Sequence, residues 1–391
     1  MVTHISEDKV PFWLDPGKRA IGYQVLTFLM VGLLAWYLVG NTVTNLENQS
    51  IATGFGFLQS EAAFEIGESV IEYSAADSYG KALLVGALNT LKVSFIGIVL
   101  CLIIGLFVGV ARLSTNWLVR KMAMIHIEVM QNIPVLLQLF FWYALFYENF
   151  PAPKQALNPF AGLFFCNRGV ALAVPAAHPA HFYMVMALIV GLVISFGIKR
   201  WAKKRKFDTG KDFPVLWTFI LFSLGLPTVV WLLFGMPVKM DMPSLTGFNF
   251  TGGIMLSPEF IALLMGLVIY TSAFVAEAVR AGIQAVSRGQ TEAAMSIGLK
   301  KNHILNLVIL PQALRIIIPP LTSQMLNLTK NSSLAIAIGF PDFVSVANTT
   351  INQTGQSIEG VAMIMGCYLI FSISTSLFMN WYNKKSKLVE R

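Results

Sequence analysis

The sequence predicts an all-α protein that crosses a membrane about eight times, and its composition and charge-free runs carry that expectation. Of its 391 residues, 55% are hydrophobic and only 12% are charged, about half the roughly 25% charge of a water-soluble domain. Residues 21–39, 93–111, 129–147, 182–198, 213–238, 260–276 and 360–383 contain no Asp, Glu, Lys or Arg. Each run approaches the roughly 17–25 residues that a spanning helix requires. An eighth, weaker run follows Pro311 and is interrupted by Arg315, Pro319 and Pro320.

The remaining charges are sorted by side. With the N-terminus placed inside, 22 of the 28 Lys and Arg residues fall on inner segments, the bias expected of cytoplasmic loops. The outer stretch 41–80 has no basic residue but carries Glu47, Glu61, Glu65, Glu68, Glu72 and Asp77. An even number of spans leaves both termini in the cytoplasm. The net charge of +8 is therefore an orientation signal. Nucleic-acid binding is not expected, because no basic face interleaved with aromatics accompanies it. The cluster KRWAKKRK at 199–206 is the densest part of that signal and a surface for anionic lipid headgroups.

Other classes find little support. Cys101 and Cys367 lie in apolar runs and Cys166 in an outer loop, so no disulfide framework is expected. His178 and His181 flank Pro179 with no third ligand nearby, so no metal site is expected. The first run is too long for a signal-peptide core and lacks a small-residue cleavage site, which makes it an uncleaved span. No G-x-x-x-x-G-K-[ST] loop is present, so this chain is not expected to hydrolyse ATP.

Residues 1–80 form a cytoplasmic arm, the first span and the acidic outer segment. The apolar residues of that segment recur at roughly helical spacing, which fits either a helix at the membrane surface or a packed outer loop. In the second span Gly97, Cys101, Gly105 and Gly109 share one face. Small residues so spaced allow close helix approach, within the chain or across a dimer seam. Residues from about 150 to 257 hold two additional spans whose outer loops are rich in proline and glycine.

The polar loop at about 277–311 reads as helix, stop, helix. Gly289 is placed at the N-cap, which sets Glu292 at the third helical position near the positive helix end. Ala293 and Ala294 leave room for a partner to approach closely. Gly298 suits a left-handed stop, and Leu310-Pro311 leads back into apolar sequence. Taken alone, the same residues also describe a capped surface helix with no partner.

Polar residues within a span are costly and tend to mark pathways. Gln324, Asn327, Thr329, Lys330, Asn331, Ser332 and Ser333 lie beyond the proline pair, where a kink is expected. They supply donors and acceptors for a zwitterion, or they mark the outer turn of the chain. Gln131, Asn132 and Gln138 in the third run are lining candidates or helix–helix hydrogen-bonding residues.

The stretch EAAMSIG at 292–298, followed by Leu310-Pro311, resembles the EAA loop of ABC-type import permeases. GALNTLKVSFIGIVLCLIIGLFVGVARLS, IEVMQNIPVLLQLFFWY and LPQALRIIIPPLTSQMLNLTKNSSLA resemble the polar amino-acid uptake group of those permeases. The extra first span, the GFGFL segment and the two-span insertion are similar to its general L-amino-acid, Q-type subunits. The resemblance implies a type I importer core over 81–391, with Gly289, Glu292, Ala293, Ala294, Gly298, Leu310 and Pro311 coupling it to an ATPase. It also implies a second, unlike permease subunit, two ATPase subunits that use ATP and Mg, a periplasmic amino-acid-binding protein, and residence in a bacterial inner membrane. No cofactor is expected on this chain. Gln131 stands where the group commonly has arginine.

The expected function is inward transport of L-amino acids by alternating access, driven by the separate ATPase. An ion-coupled carrier would need intramembrane acids or an inverted repeat, and a membrane-embedded enzyme would need a catalytic constellation; the sequence offers neither.

Overall fold

A computed structural model describes residues 15–48 and 53–386. Helix α1 covers Pro16–Asn48, α2 Tyr79–Ala111, α3 Trp117–Asn132 and α4 Val135–Asn149. Short strands β1 Leu157–Phe160, β2 Leu163–Cys166, β3 Gly169–Leu172 and β4 Val174–Pro175 precede α5, Pro179–Thr209. Helices α6, Val215–Ile220, and α7, Leu226–Leu233, are joined by a π turn at Leu221–Gly225. Strands β5 Met240–Asp241, β6 Ser244–Thr246, β7 Asn249–Thr251 and β8 Ile254–Leu256 lead into α8, Pro258–Gln284. Helices α9 Arg288–Ser296, α10 Lys301–His303, α11 Leu310–Asn331, α12 Phe343–Thr354 and α13 Ser357–Ser386 complete the chain.

Among the described residues, seven helical stretches are long and apolar enough to span: α1, α2, α5, Val215–Leu233, α8, Lys301–Ile338 and α13. The run at 129–147 corrects the sequence reading, because it is not one straight helix. It breaks at Ile133-Pro134, where α3 and α4 meet at 106°. Proline pushes the preceding residue out of helical conformation, and Ile133 is extended at φ −99° and ψ 124°. Counting the bent pair as one span restores eight.

Helix α11 continues across Pro319 and Pro320. Upstream, a π segment at Ile304–Ile309 precedes Pro311, just as Leu221–Gly225 precedes Pro227. A proline ring clashes with the carbonyl four residues earlier, and a π turn supplies the slack that relieves the clash.

The chain divides into two compact units. One comprises residues up to Thr90 together with Pro341–Thr375. Helix α1 exposes nearly all its side chains. The acidic outer segment forms no surface helix at 61–78. It is irregular, held by Ala62 N–H to Asp77 O (2.8 Å), Ala63 N–H to Ala75 O (2.9 Å) and Tyr73 Oη to Phe64 O (3.0 Å). Its apolar residues pack with Tyr79, Leu83, Phe343 and Val346, so the roughly helical spacing reflects a packed loop.

The other unit comprises Leu91–Phe340 and residues from Ser376. Helix α8 lies at its centre, contacting α3, α4 and α11, with Leu139, Leu263, Leu267, Val275 and Leu328 buried. The glycine face of α2 serves this core. A Cβ at Gly97 would lie 3.2 Å from Leu328, at Gly105 2.9 Å from Ser272 O, and at Gly109 2.7 Å from Ala276 O. The stripe is intrachain packing.

In the insertion, β1, β2, β3 and β8 form an antiparallel sheet in that order, with Val170 opposite Leu256. Strand β8 thus brings the chain back beside its outgoing strand. The sheet was not expected, because its strands are only three or four residues long and lie among turn-forming residues. Helix α5 packs on α6, the π turn and α7. Gly191 lies so close to the Phe222 backbone that no side chain would fit.

Candidate functional site

The polar loop is built from backbone geometry. Its helix α9 begins after Ser287, not at Gly289 as the sequence suggested. Ser287 is extended at φ −57° and ψ 138°, and its carbonyl accepts from Gln290 N at 3.1 Å. The Ser287 side chain makes no capping bond, so the helix start rests on the backbone alone. Gly289 is thus the second helical residue and Glu292 the fifth, exposed and beyond the first turn.

The far end follows expectation. Gly298 has φ +79°, while Gly298 N donates to Met295 O at 2.9 Å and Leu299 N to Ala294 O at 3.2 Å. This pair of bonds is a Schellman stop, which requires a left-handed residue between helix and exit. The stop sets α9 against the π segment. Ala294 is its buried residue, 4% exposed, whereas Ala293 faces outward with Glu292. Met295 and Ile297 are 52% and 75% exposed, so the loop exposes two apolar side chains as well as the Glu292 carboxylate.

Two contacts tie this loop to the spans. Gln312 Nε2 donates to Val308 O at 2.9 Å and to Gln290 Oε1 at 3.3 Å, joining α9 to the helix that follows Pro311. At Gly282, a Cβ would lie 3.1 Å from Ile317 Cδ1 and 3.3 Å from Ala313 O. Helices α8 and α11 are therefore in near backbone contact on either side of the loop. At the end of α8, Arg280 Nε donates to Glu277 Oε2 at 2.9 Å and Nη1 to Gln284 Oε1 at 2.6 Å. Leu310 and Pro311 are half-buried at the π-to-α junction. Neither glutamine, nor Met295, nor Ile297 stood out in the sequence; an apolar pair in a polar loop was the available signal.

The polar residues of α11 divide. Ser323, Asn327 and Lys330 are exposed, and their spacing places them on one face. Gln324 and Asn331 flank them, half-buried. Thr329 and Ser332 are buried, donating to Met325 O (3.0 Å) and Thr329 O (2.7 Å), so the Ser332 hydroxyl is turned into backbone and does not join that face. Ser333 Oγ likewise donates to Lys330 O at 2.7 Å.

Gln138 sits just beyond the bend, on α4. Its Nε2 donates to Met130 O and Ile133 O, both at 3.0 Å, satisfying carbonyls opened by the bend. Gln131 Nε2 reaches Ala273 O at 3.4 Å, and Asn132 Nδ2 donates to Glu128 O at 2.6 Å. These three side chains serve helix contacts. Sequence reasoning passed over Arg315, whose Nε and Nη2 are buried with no hydrogen-bond partner; a charge in an apolar run was its signal. His178 accepts from Ala180 N at 3.1 Å as the N-cap of α5.

The GALNTL stretch closes the first unit. Asn89 Nδ2 donates to Glu68 O (2.7 Å) and Pro341 O (2.9 Å), and Thr90 Oγ1 accepts from Phe343 N (3.0 Å). A Cβ at Gly86 would sit 3.0 Å from Phe343 Cα. Gly86, Asn89 and Thr90 thus clasp the link before α12.

Residues 213–388 match the family described as binding-protein-dependent transport system inner membrane component. The chain is 48% identical over 400 residues to the general L-amino acid transport system permease protein AapQ of Rhizobium johnstonii, covering 100% of both chains. It is 48% identical over 382 residues to the putative amino-acid ABC transporter permease protein YhdX of Escherichia coli K12, covering 96% of each. It is 40% identical over 410 residues to the glutamate/glutamine/aspartate/asparagine transport system permease protein BztB of Rhodobacter capsulatus, again covering 96% of each. The chain belongs to the family of membrane-embedded permease subunits of binding-protein-dependent ABC importers, in which a separate subunit hydrolyses ATP.

Proposed function

We propose that this permease carries L-amino acids inward and that α9 is the lever by which the ATPase moves it. The names of the three full-length relatives support the substrate class. The observation that carries the coupling role is the exposed Met295 and Ile297 on a helix whose stop is fixed at Gly298. Apolar side chains at a polar loop tip are suited to a pocket on another protein. Glu292 adds a charge that orients docking, and Ala293 lets the partner approach closely. Gly289, Leu310 and Pro311 shape the two ends of the lever.

In this reading, a substrate-loaded periplasmic binding protein docks outside while the ATPase dimer, with ATP and Mg, closes below. The loop moves with the ATPase, and the Gln312–Gln290 contact and the Gly282 packing pass that motion to α11 and α8. Hydrolysis reverses it and releases substrate inward. A second, unlike permease subunit completes the pathway in a bacterial inner membrane, both termini being cytoplasmic. Asn327 and Lys330, flanked by Gln324 and Asn331, line this chain's side of it. Ser332, Gln131 and Gln138 support the wall.

Uptake of a panel of labelled amino acids by the assembled complex in proteoliposomes tests this function. ATP-dependent accumulation of amino acids is expected; accumulation without ATP, or none for any amino acid, contradicts it.

A further inference from the structure

The basic end of α5 forms a site that the transport reading does not use. The charge-free run ends at Ile198, yet the helix continues to Thr209. Its last turns carry Lys199, Arg200, Lys203, Lys204, Arg205 and Lys206. These cations begin where the apolar run ends, which places them at headgroup depth on whichever side that end lies.

The local fold holds this end in shape. Gly210 at φ +69° turns the chain, its N–H donating to Lys206 O at 3.0 Å. Phe213 folds back on Trp201, with ring centroids 5.3 Å apart. Arg205 lies over both rings, 5.3 Å from Trp201 and 5.9 Å from Phe213. Lys206 pairs with Asp212 at 2.7 Å. Arg205 and Lys206 are thereby occupied, whereas among the described residues Lys203 and Lys204 have no carboxylate partner.

A cavity of about 700 Å³ opens here, lined by Arg200, Lys203, Lys204, Lys206 and Phe207. No acid lines it. Phe207 is 90% exposed, an unfavourable position in water for a large apolar ring. Lys203 and Lys204, which have no carboxylate partner among the described residues, beside an uncovered ring, match a ligand that is anionic at one end and apolar at the other. We propose that this cavity binds the phosphodiester headgroup of an anionic phospholipid, with Phe207 against the start of its acyl chains. Free phosphate shares the anionic chemistry but would leave Phe207 uncovered.

The test uses the full complex, purified from membranes containing phosphatidylglycerol and cardiolipin, with retained lipid measured by native mass spectrometry. The parent should retain anionic lipid. Combined Arg200→Gln, Lys203→Gln and Lys204→Gln should lower retention at least tenfold, and Phe207→Ala severalfold. Lys199→Gln with Lys211→Gln removes charge beside the cavity and should retain lipid like the parent. Inorganic phosphate at millimolar concentration should not displace the lipid. Equal retention in the cavity variants, equal loss in the control, or displacement by phosphate would each overturn the proposal.

Discussion

The amide of Leu299 donates to the carbonyl of Ala294 at 3.2 Å, spanning Gly298. That bond closes the helix proposed to meet the ATPase, and only a residue tolerant of positive φ fits beneath it. Gly298→Ala should destabilise the stop by about 1–2 kcal/mol, the cost of a left-handed L-residue. Binding-protein-stimulated ATP hydrolysis should fall severalfold, and Gly298→Asn should retain more activity, because asparagine tolerates this conformation.

Ile297 and Met295 touch little within the chain, so replacing them should spare the fold. Ile297→Asp with Met295→Asp should abolish co-purification of the ATPase while leaving the thermal midpoint of the isolated permease unchanged. A pull-down beside a melting curve separates the two effects.

Gly282 predicts the reverse pattern. A valine there would push into Ile317 and the Ala313 carbonyl, costing about 1–3 kcal/mol by overpacking. Gly366, whose Cβ would meet nothing within 4 Å, is the control; Gly366→Ala should be neutral or slightly stabilising. Thermal unfolding in detergent checks both.

Asp342 gives a pH signature. Burial pushes its carboxyl up to about 6, against the bonds it accepts from Ser345 N and Tyr368 Oη. Because the folded form favours the protonated acid, its contribution is fully present below about pH 4 and is lost as pH rises through 6, at a cost of about 3 kcal/mol. Asparagine keeps the cap and cannot ionise. The stability gained by Asp342→Asn should therefore be near zero at pH 4 and grow towards pH 7.5, as melting across that range would record.

On α11, Lys330→Met and Asn327→Leu should each change transport rate or selectivity at least severalfold. Ser332→Ala, which removes only an inward hydroxyl, should transport like the parent. Labelled uptake across several amino acids distinguishes them.

Much of this was legible in the residues. Charge-free runs marked the spans, and Gly298 marked the helix stop because its constraint is local. What escaped depended on partners distant in sequence. Gly105 faces Val275 and Ser272 O, so its face became intrachain packing only once α8 was in place. Gln138 read either as a lining residue or as a helix–helix hydrogen-bonding one; its amide donates to two carbonyls beside the bend at Pro134, a pairing set by the fold. Gly289 is not the N-cap because the helix starts two residues earlier, after Ser287, whose side chain makes no capping bond. The β-sheet of the insertion rests on β8 returning to β3, a pairing no local pattern announces.

The most direct test of the central claim is ATP hydrolysis and amino-acid uptake, measured together in proteoliposomes, for the Glu292→Lys, Gly298→Asp double variant. Loss of binding-protein-stimulated hydrolysis and of uptake is expected, with the permease still folded. Parental rates of both would contradict the lever role of α9.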